Sequence, residues 1–580
     1  MKLELQKGSR SKVLAAILFG LMTIFVVRLF YLQVIQHGYY IDLANKEQVK
    51  RLTIPAKRGR IYAISGQTPV PLVMNQDVYT VFADPTETTN DNEIISTIEK
   101  VAGGSARSNI QGLLNRKDTR YQILATKISL AQANMIKSKH FSGIGFQAGT
   151  QRVYPEGSLA AQILGFVNDE GIGQYGVEGK LNTQLTGENG LLQSVTDVND
   201  IPLTIGNHNI NKPAKDGVNE VLSIDPSVQS YTEQALQSGL KRTGATRGSA
   251  IILDPQTGKI LAMANLPTYD PSKINEVQNN AAFNNGVVSQ PYEPGSDMKT
   301  MTMATGIDKG VVDANSTYVN TDHIQVDDVT ISNASLGQTG TITLQHAMNW
   351  SLNTGFVTVA MRLGNGTAIT RQARDTMYDY FHNKFHLGKL TGVEVSGERA
   401  GVIIPPTEEQ GNAVRYSNMA FGQGMDVTMV QVASAFCSIV NGGNYYKPTV
   451  LAGKVDNNGN YVPNPIKTPT HPIKLATAYQ VREMTHIART TNFPGVDKPG
   501  YYVGGKTGTS QVINSKGVYS SDETVGTYLG YGGTESTSRY VIMVQVSGDH
   551  KMLAGNYDAM PIFTDISNWM LGYLNIQPKG

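Results

Sequence analysis

The longest apolar run in the chain lies near its N-terminus and constrains the fold more than any other feature. It extends from Val13 to Ile35, which is long enough to cross a bilayer as one helix. No small-residue cleavage pattern follows at residues 36–40 (QHGYY), so the run predicts an uncleaved, single-pass anchor rather than a removed signal peptide. Arg28 lies past its midpoint, where we expect the side chain to snorkel to the interface rather than pair with a partner's helix.

Basic residues flank this run on both sides. They are Lys2, Lys7, Arg10 and Lys12 before it, and Lys46, Lys50 and Arg51 after it. The positive-inside rule therefore assigns no orientation, and large domains translocate regardless of flanking charge. The side of the membrane that holds the rest of the chain has to be inferred from function.

Length and composition narrow the class of protein. A chain of 580 residues exceeds one typical domain, and two or three are expected. The formal net charge of +2 gives no indication of a nucleic-acid partner. Cys437 is the only cysteine, which excludes an intramolecular disulfide and disfavours a cysteine-rich metal site. Its apolar neighbourhood predicts a buried core residue.

The hydrophobic pattern becomes regular after a linker-like segment at residues 211–217 (NKPAKDG). Runs at residues 248–253 and 259–264 are joined by a turn and predict a hairpin. Helical spacing precedes them at 227–241, and a strand at 540–546 and a helix at 561–574 follow near the end. This order predicts an α+β fold in which helices cover an antiparallel sheet.

The first motif with chemical meaning is Ser296-Asp297-Met298-Lys299, placed by Pro294 and Gly295 at the start of a predicted helix. Positions three apart share a helix face, so the Lys299 amine can lie beside the Ser296 hydroxyl. A serine becomes a good nucleophile when a neighbour takes its proton, and lysine can do so when burial or nearby cations lower its pKa. The same spacing occurs at Ser9 and Lys12, so the pair alone indicates little.

Two further motifs add functional groups. Ser351-Leu352-Asn353 follows a helical run and offers a hydroxyl for proton relay and an amide for holding a carbonyl, although Ser and Asn also favour helix-end turns. Residues 503–510 (VGGKTGTS) predict an edge strand that a substrate backbone can approach, with Lys506 and two threonines able to bind a carboxylate.

The order S-x-x-K, S-x-N, K-T-G is the motif set of penicillin-binding proteins and serine β-lactamases. With it the chain resembles a class B penicillin-binding protein, a monofunctional peptidoglycan D,D-transpeptidase. Flanking matches are residues 292–296 (YEPGS), 420–424 (AFGQG), 441–443 (NGG) and 504–509 (GGKTGT), with looser ones at 58–61 (RGRI), 152–155 (RVYP) and 176–178 (GVE). The resemblance covers nearly everything after the anchor and is strong beyond about residue 218.

The resemblance implies a role for each motif residue. Ser296 would be the nucleophile that is acylated, Lys299 its base, and Ser351 and Asn353 would assist proton transfer and hold the substrate. Lys506, with Thr507, Gly508 and Thr509, would bind the substrate carboxylate, and the backbone N–H groups of Ser296 and Thr509 would form the oxyanion hole. No metal or organic cofactor is implied.

It also implies a domain order and partners. We expect a cytoplasmic tail (1–12), a transmembrane anchor (13–35), an irregular mixed pedestal of the dimerisation type (36–217), and an extracytoplasmic transpeptidase domain (218–580). Expected partners are peptidoglycan stem peptides, β-lactam antibiotics, membrane lipid and a membrane glycosyltransferase that polymerises glycan, with no nucleic acid.

Two departures from the family pattern stand out. Asp297 places a carboxylate directly after the nucleophile, where the family commonly has an uncharged residue. Residues 60–66 (RIYAISG) lack the Asp-Arg-Asn-Gly run that often follows the pedestal's Arg-Gly, which loosens the pedestal assignment.

Rival functions share the same site or lack catalysis. A carboxypeptidase or β-lactamase would hydrolyse the acyl-enzyme, and Glu408 lies four residues before Asn412, as in the deacylation loop of class A β-lactamases. β-Lactamases are much shorter, however. A catalytically weak scaffold would be expected to lose Ser296 or Lys506, and a β-lactam sensor would need several spans, so transpeptidation is favoured.

Overall fold

The computed structural model describes residues 9–40, 49–195, 210–513 and 517–579. The first eight residues of the predicted tail, with Lys2 and Lys7, lie outside this range, as does Lys46.

Helices occur along the whole described chain. Their bounds are α1 Ser9–Phe30, α2 Asp91–Ala102, α3 Ile110–Leu114, α4 Leu130–Lys137, α5 Ala161–Leu164, α6 Gly176–Lys180, α7 Asn182–Thr186, α8 Pro226–Thr243, α9 Gly286–Ser289, α10 Lys299–Asp308, α11 Leu344–Asn349, α12 Asn353–Arg362, α13 Arg371–Tyr378, α14 Ala413–Met419, α15 Met429–Val440, α16 Leu475–Asn492 and α17 Met560–Tyr573.

Strands alternate with these helices. Their bounds are β1 Val49–Ile54, β2 Ile61–Ser65, β3 Thr68–Ala83, β4 Gln122–Ile128, β5 Ile144–Val153, β6 Phe166–Val167, β7 Gly173–Gln174, β8 Gly190–Val195, β9 Ile210–Lys212, β10 Asn219–Leu222, β11 Arg247–Leu253, β12 Ile260–Leu266, β13 Thr317–Asn320, β14 His323–Val326, β15 Val329–Ser332, β16 Gly340–Thr343, β17 Leu451–Val455, β18 Tyr461–Pro463, β19 Tyr502–Ile513, β20 Tyr519–Gly533 and β21 Ser538–Ser547.

One compact unit comprises residues 1–58 and 186–217. Its described part holds α1 and a three-stranded antiparallel sheet in the order β1-β8-β9. The helical segment from Arg10 to Ile35 has a mean hydropathy of 2.5 and is not buried, which makes it the one span in the described chain that is long and apolar enough to cross a membrane. The predicted apolar helix is therefore confirmed, and its exposed face suits lipid as a solvent.

The other unit comprises residues 59–185 and 218–580 and contains a five-stranded sheet in the order β12-β11-β21-β20-β19. All its neighbouring strands are antiparallel, as the sequence predicts. Side chains alternate between two apolar clusters: Ile252 and Val544 pack with helices α8 and α17, whereas Ile251 and Met543 pack with α10, α15 and α16. Both faces of the sheet are thus covered, and β19 forms one of its two edges.

The same unit also contains a seven-stranded sheet, with β18-β17-β10-β2-β3-β4 in order and β5 paired to β3. Strand β10 runs parallel to β2 and antiparallel to β17. Next to this sheet, Arg152 Nε donates to Glu178 Oε1 at 2.7 Å, with both side chains buried. Two of the looser sequence matches, RVYP and GVE, are therefore joined by one buried ion pair.

The predicted elements agree with the observed ones to within a few residues. The hairpin forms as β11 and β12, the helix at 227–241 as α8, and the closing helix as α17. Asp225 and Gly244 explain the bounds of α8. The Asp225 carboxylate accepts from two first-turn N–H groups, and Gly244 ends the helix in a left-handed conformation.

Arg489, at the end of α16, is fully buried and forms a bidentate pair with Asp497 at 2.6 and 2.7 Å, and it also donates to the Tyr528 hydroxyl. Arg489→Ala would leave Asp497 without its cation, so we expect the free energy of unfolding to fall by about 3–5 kcal/mol. Urea unfolding of the detergent-solubilised chain measures it. The control is Arg371→Ala, whose exposed pair with Asp375 should contribute less than about 1 kcal/mol. Equal losses in both variants would contradict this expectation.

Candidate active site

Ser296 lies in a 3₁₀ turn, Gly295–Met298, that leads directly into α10. Gly295 has a positive φ of 58°, its N–H donates to Gly422 O at 2.9 Å, and a Cβ there would lie 2.8 Å from Thr509 O. Only glycine lets these three backbone segments meet so closely. The close approach holds Ser296 against the edge strand β19, and it explains why glycines stand in the YEPGS and AFGQG sequences.

Lys299 is fully buried one turn further on. Its Nζ lies 2.9 Å from Ser296 Oγ, 3.0 Å from Ser351 Oγ, 2.7 Å from Ser351 O and 2.8 Å from Asn353 Oδ1. The predicted proximity of the Ser296 and Lys299 side chains is therefore present, and the S-x-N turn completes the surroundings of the amine.

These four oxygen atoms are compatible with a neutral Lys299 amine. The Ser351 carbonyl and Asn353 Oδ1 can only accept, so they take two protons of the amine. A neutral amine has two protons and one lone pair, and the lone pair is left for a hydroxyl. Burial, followed by the nearby charge of Lys506, holds the pKa of Lys299 well below its usual range. Geometry and electrostatics thus agree that this amine can accept a proton from Ser296.

Ser351 occupies the turn between α11 and α12 with a positive φ of 56°. This left-handed conformation is costly for a residue with a Cβ, by about 1–3 kcal/mol. The turn places both the Ser351 carbonyl and its hydroxyl on Lys299, and Ser351 Oγ lies 3.0 Å from Ser296 Oγ. Asn353 is fixed from its other side, since its Nδ2 donates to Ser332 O at 2.9 Å.

Lys506, on strand β19, also contacts the Ser351 hydroxyl. Its Nζ donates to Ser351 Oγ at 2.9 Å and to Thr507 O at 2.9 Å, and the side chain is buried. Burial lowers its pKa, and the negative charge of Asp297 opposes that shift. The Ser351 hydroxyl therefore lies within hydrogen-bond distance of both lysines and of Ser296.

The rest of the K-T-G sequence lies along the edge strand. Thr507 is partly exposed, with Oγ1 at 3.3 Å from Lys506 Nζ. Thr509 is exposed, and its Oγ1 accepts from Gly555 N at 3.2 Å. The strand order leaves the side of β19 opposite β20 without a partner strand in the described sheet, so an extended chain could pair there.

Asp297, the residue that sequence reasoning left unexplained, is fully buried beneath Gly508. Its Oδ2 accepts from Thr527 Oγ1 at 2.8 Å, whereas its Oδ1 has no hydrogen-bond partner. A Cβ at Gly508 would lie 3.0 Å from Asp297 Oδ2 and would also collide with Thr527 Oγ1. Sequence reasoning missed Thr527 and Ser332, because nothing in the local pattern separates them from other strand residues.

Residues 408–412, whose Glu and Asn spacing resembles that of a β-lactamase deacylation loop, have another structural explanation. Glu408 and Glu409 are exposed, while Asn412 caps α14 by accepting from Arg415 N at 2.9 Å. The asparagine is thus explained as a helix cap. Within the described residues, no group of three or more His, Cys, Asp or Glu side chains is arranged to hold a metal ion.

An α+β fold with a buried Ser–Lys pair at the edge strand of an antiparallel sheet defines a class of serine acyl-transfer enzymes. The family model for the penicillin-binding protein transpeptidase domain matches residues 248–568. The model for the penicillin-binding protein dimerisation domain matches residues 53–222, which supports the pedestal despite its missing Asp-Arg-Asn-Gly run. The chain belongs to the penicillin-binding protein transpeptidase family, and its apolar helix makes it a membrane-anchored member.

Curated relatives and a solved structure agree with this assignment. Penicillin-binding protein PbpB of Mycobacterium tuberculosis is 29% identical over 80% of this chain and 67% of its own length. Peptidoglycan D,D-transpeptidase FtsI of Escherichia coli is 26% identical over 95% of this chain and 89% of its own length. The crystal structure of penicillin binding protein 3 from M. tuberculosis, complexed with aztreonam, superposes with a TM-score of 0.68 at 25% identity, covering 91% of this chain and 98% of that one.

Gly508→Ala tests whether the space beneath the edge strand controls the site. The new Cβ would push against Asp297 and Thr527 and shift β19 relative to Ser296. A displacement of about 1 Å can lower the rate about 100-fold, so we expect acylation by a fluorescent penicillin to slow by about that factor. The control is Gly149→Ala in β5, where a Cβ meets nothing within 4 Å. A Gly508→Ala rate equal to that of the control would show that the strand tolerates the group.

Proposed function

We propose that the chain is a peptidoglycan D,D-transpeptidase in which Ser296 forms the acyl-enzyme. Ser296 Oγ attacks the carbonyl carbon of the D-Ala–D-Ala bond, and the C–N bond breaks as the ester forms. The proton of Ser296 passes to Lys299 and then to the departing D-Ala amine. An amine from a neighbouring stem peptide then attacks the ester, forms the crosslinking amide and returns the hydroxyl to Ser296.

The convergence of Ser296, Lys299, Ser351 and Lys506 on one another carries this proposal. The Ser351 hydroxyl, between the two lysines, is placed to pass the proton to the leaving amine. A tetrahedral intermediate would place its negative oxygen between the N–H groups of Ser296 and Thr509, which would act as the oxyanion hole.

Substrate binding belongs to the same proposal. The terminal carboxylate of the stem peptide would bind Lys506, Thr507 and Thr509, while the peptide backbone lies along β19 beside Gly508. Asn353 would hold the substrate's amide side, because its Oδ1 is already taken by Lys299 and its Nδ2 by Ser332, which leaves its second N–H for a substrate carbonyl. β-Lactams would acylate Ser296 in place of the D-Ala–D-Ala bond.

Two alternatives use the same chain. A carboxypeptidase or β-lactamase would transfer the acyl group to water. The exposed position of Glu408 and the capping role of Asn412 give no support to the deacylating glutamate that a class A β-lactamase would need. A catalytically weak scaffold is disfavoured because the serine and both lysines lie within hydrogen-bond distance of shared partners.

The location and partners follow from the substrate. Since peptidoglycan lies outside the cell membrane, residues 1–12 would be cytoplasmic, 13–35 would cross the bilayer, and the pedestal at 36–217 and the catalytic domain at 218–580 would be extracytoplasmic. The division near residue 217 is supported by one family match that ends at 222 and another that begins at 248. Membrane lipid would surround α1, and a membrane glycosyltransferase would supply the glycan strands.

Ser296→Ala is expected to abolish covalent labelling by a fluorescent penicillin, because the attacking oxygen is removed. Ser9→Ala is the matched control, since Ser9 and Lys12 have the same spacing and labelling should be unchanged. Covalent labelling of Ser296→Ala would refute the assigned nucleophile. In the wild type the labelled adduct should persist, and rapid release of hydrolysed drug would favour the β-lactamase alternative.

Orientation can be tested with cysteines, because the native Cys437 is buried and should not react. A membrane-impermeant maleimide added to intact protoplasts should label Gly149→Cys, an exposed position in β5. Lys12→Cys, at the N-terminal end of the apolar helix, should react only after lysis. The reverse pattern would place the catalytic part of the chain in the cytoplasm.

A further inference from the structure

Asp297 has a buried carboxyl group that takes no part in the proposed reaction. Its side chain is fully buried, it follows the nucleophile directly, and one of its two oxygens is buried without a hydrogen-bond partner. Burying a carboxylate without a full set of hydrogen bonds costs free energy. Thr527 on β20 and the missing side chain at Gly508 on β19 make the space that accommodates it.

The groups around this carboxylate point to its role. Lys506 and Gly508 lie two residues apart on β19, so the Lys506 side chain is on the face of the strand that the Asp297 carboxylate occupies beneath Gly508. Its charge is the cation that acts on Asp297. The phenols of Tyr528 on β20 and Tyr292 before the 3₁₀ turn also feel its charge, and their pKa values are raised mainly by burial. Lys299 follows Asp297 by two residues, at the start of α10. Its pKa is lowered by burial and then by the charge of Lys506. Burial raises the pKa of Asp297 to about 7, against the hydrogen bond from Thr527 and the charge of Lys506. Above that pH the negative Asp297 acts on Lys506, and the charge of Lys506 acts in turn on Lys299.

We propose that Asp297 is a positioning residue: its buried carboxylate, held by Thr527 beneath Gly508, keeps Lys506 protonated and so leaves Lys299 as the lysine that gives up its proton. This inference rests on the proposed function, in which Lys506 binds a carboxylate as a cation and Lys299 acts as a neutral base. The two buried lysines share the Ser351 hydroxyl, and the charge of Asp297 acts on Lys506, which favours Lys506 as the amine that carries the proton. Asp297 makes no contact with the reacting atoms and acts through Lys506.

The sign of the effect follows from these charges. Burial lowers the pKa of Lys506, and the negative charge of Asp297 opposes that lowering. Acylation needs a neutral Lys299 and a charged Lys506, so its rate rises with pH as Lys299 loses its proton and falls again as Lys506 loses its own. Removing the negative charge should move the falling limb to lower pH, because the cation at Lys506 loses its stabilising partner.

The test is the pH profile of the second-order rate constant for acylation of the full-length, detergent-solubilised protein by a fluorescent penicillin. Asp297→Asn removes the charge but keeps the shape and can still accept from Thr527. We expect the midpoint of its falling limb to move about one pH unit lower. A rate reduced by the same factor at every pH, or an unchanged profile, would overturn the inference, since a merely structural carboxyl would move neither limb.

Two further variants keep the test decisive. Burial raises the pKa of Asp297, and Thr527→Val removes the hydrogen bond that opposes this rise. The carboxyl would therefore stay protonated to higher pH, and the falling limb should move in the same direction by a smaller amount. This variant decides the matter if Asp297→Asn does not fold, and an unshifted limb would count against the inference. Asp308→Asn is the matched control: it removes another buried carboxylate from the far end of α10 and should leave both limbs in place.

Failure of this inference is distinguishable from failure of the proposed function. If Ser296→Ala still becomes labelled, the proposed nucleophile is wrong, whatever the profile of Asp297→Asn. If labelling depends on Ser296 and the limbs of Asp297→Asn coincide with those of the wild type, only the role of Asp297 is wrong.

Discussion

The burial of two lysine side chains around one serine hydroxyl is the constraint on which the site depends. Amino groups are costly to remove from water unless they are hydrogen-bonded, so each lysine needs acceptors within reach. Lys299 has the Ser351 carbonyl and Asn353, and Lys506 has Thr507. The lysines and their acceptors come from three separate segments, which is why α10, the turn at the start of α12 and the edge strand β19 have to be held at fixed positions.

Much of this architecture could be predicted from the sequence, because it depends on local signals. Apolar periodicity gave the hairpin β11–β12 and helices α8 and α17, and motif spacing brought together the serine, the two lysines and Asn353. The long-range contacts could not be predicted. No local pattern marks Thr527 as the partner of Asp297 or Gly422 as the acceptor for Gly295, since both contacts exist only after distant segments pack.

The glycines of the family motifs have a common physical explanation here. Gly295 and Gly508 stand where a Cβ would meet backbone or a buried polar side chain. Each allows two segments to approach more closely than ordinary residues permit. The motif therefore specifies how neighbouring segments pack as well as which groups react. Asp297 is part of this packed region and adds a buried carboxyl group to it.

The seven-stranded sheet has a consequence for how the chain matures. Strand β2 begins at Ile61, pairs with β10 near residue 220, and β10 pairs in turn with β17 near residue 455. The ribosome therefore synthesises β2 long before its partner β10, and β10 long before its partner β17. Contacts so distant in sequence form slowly, and unpaired strand edges are prone to aggregation until they do. A chaperone that covers the edges of β2 and β10 until β17 has been synthesised would therefore assist folding of the new chain.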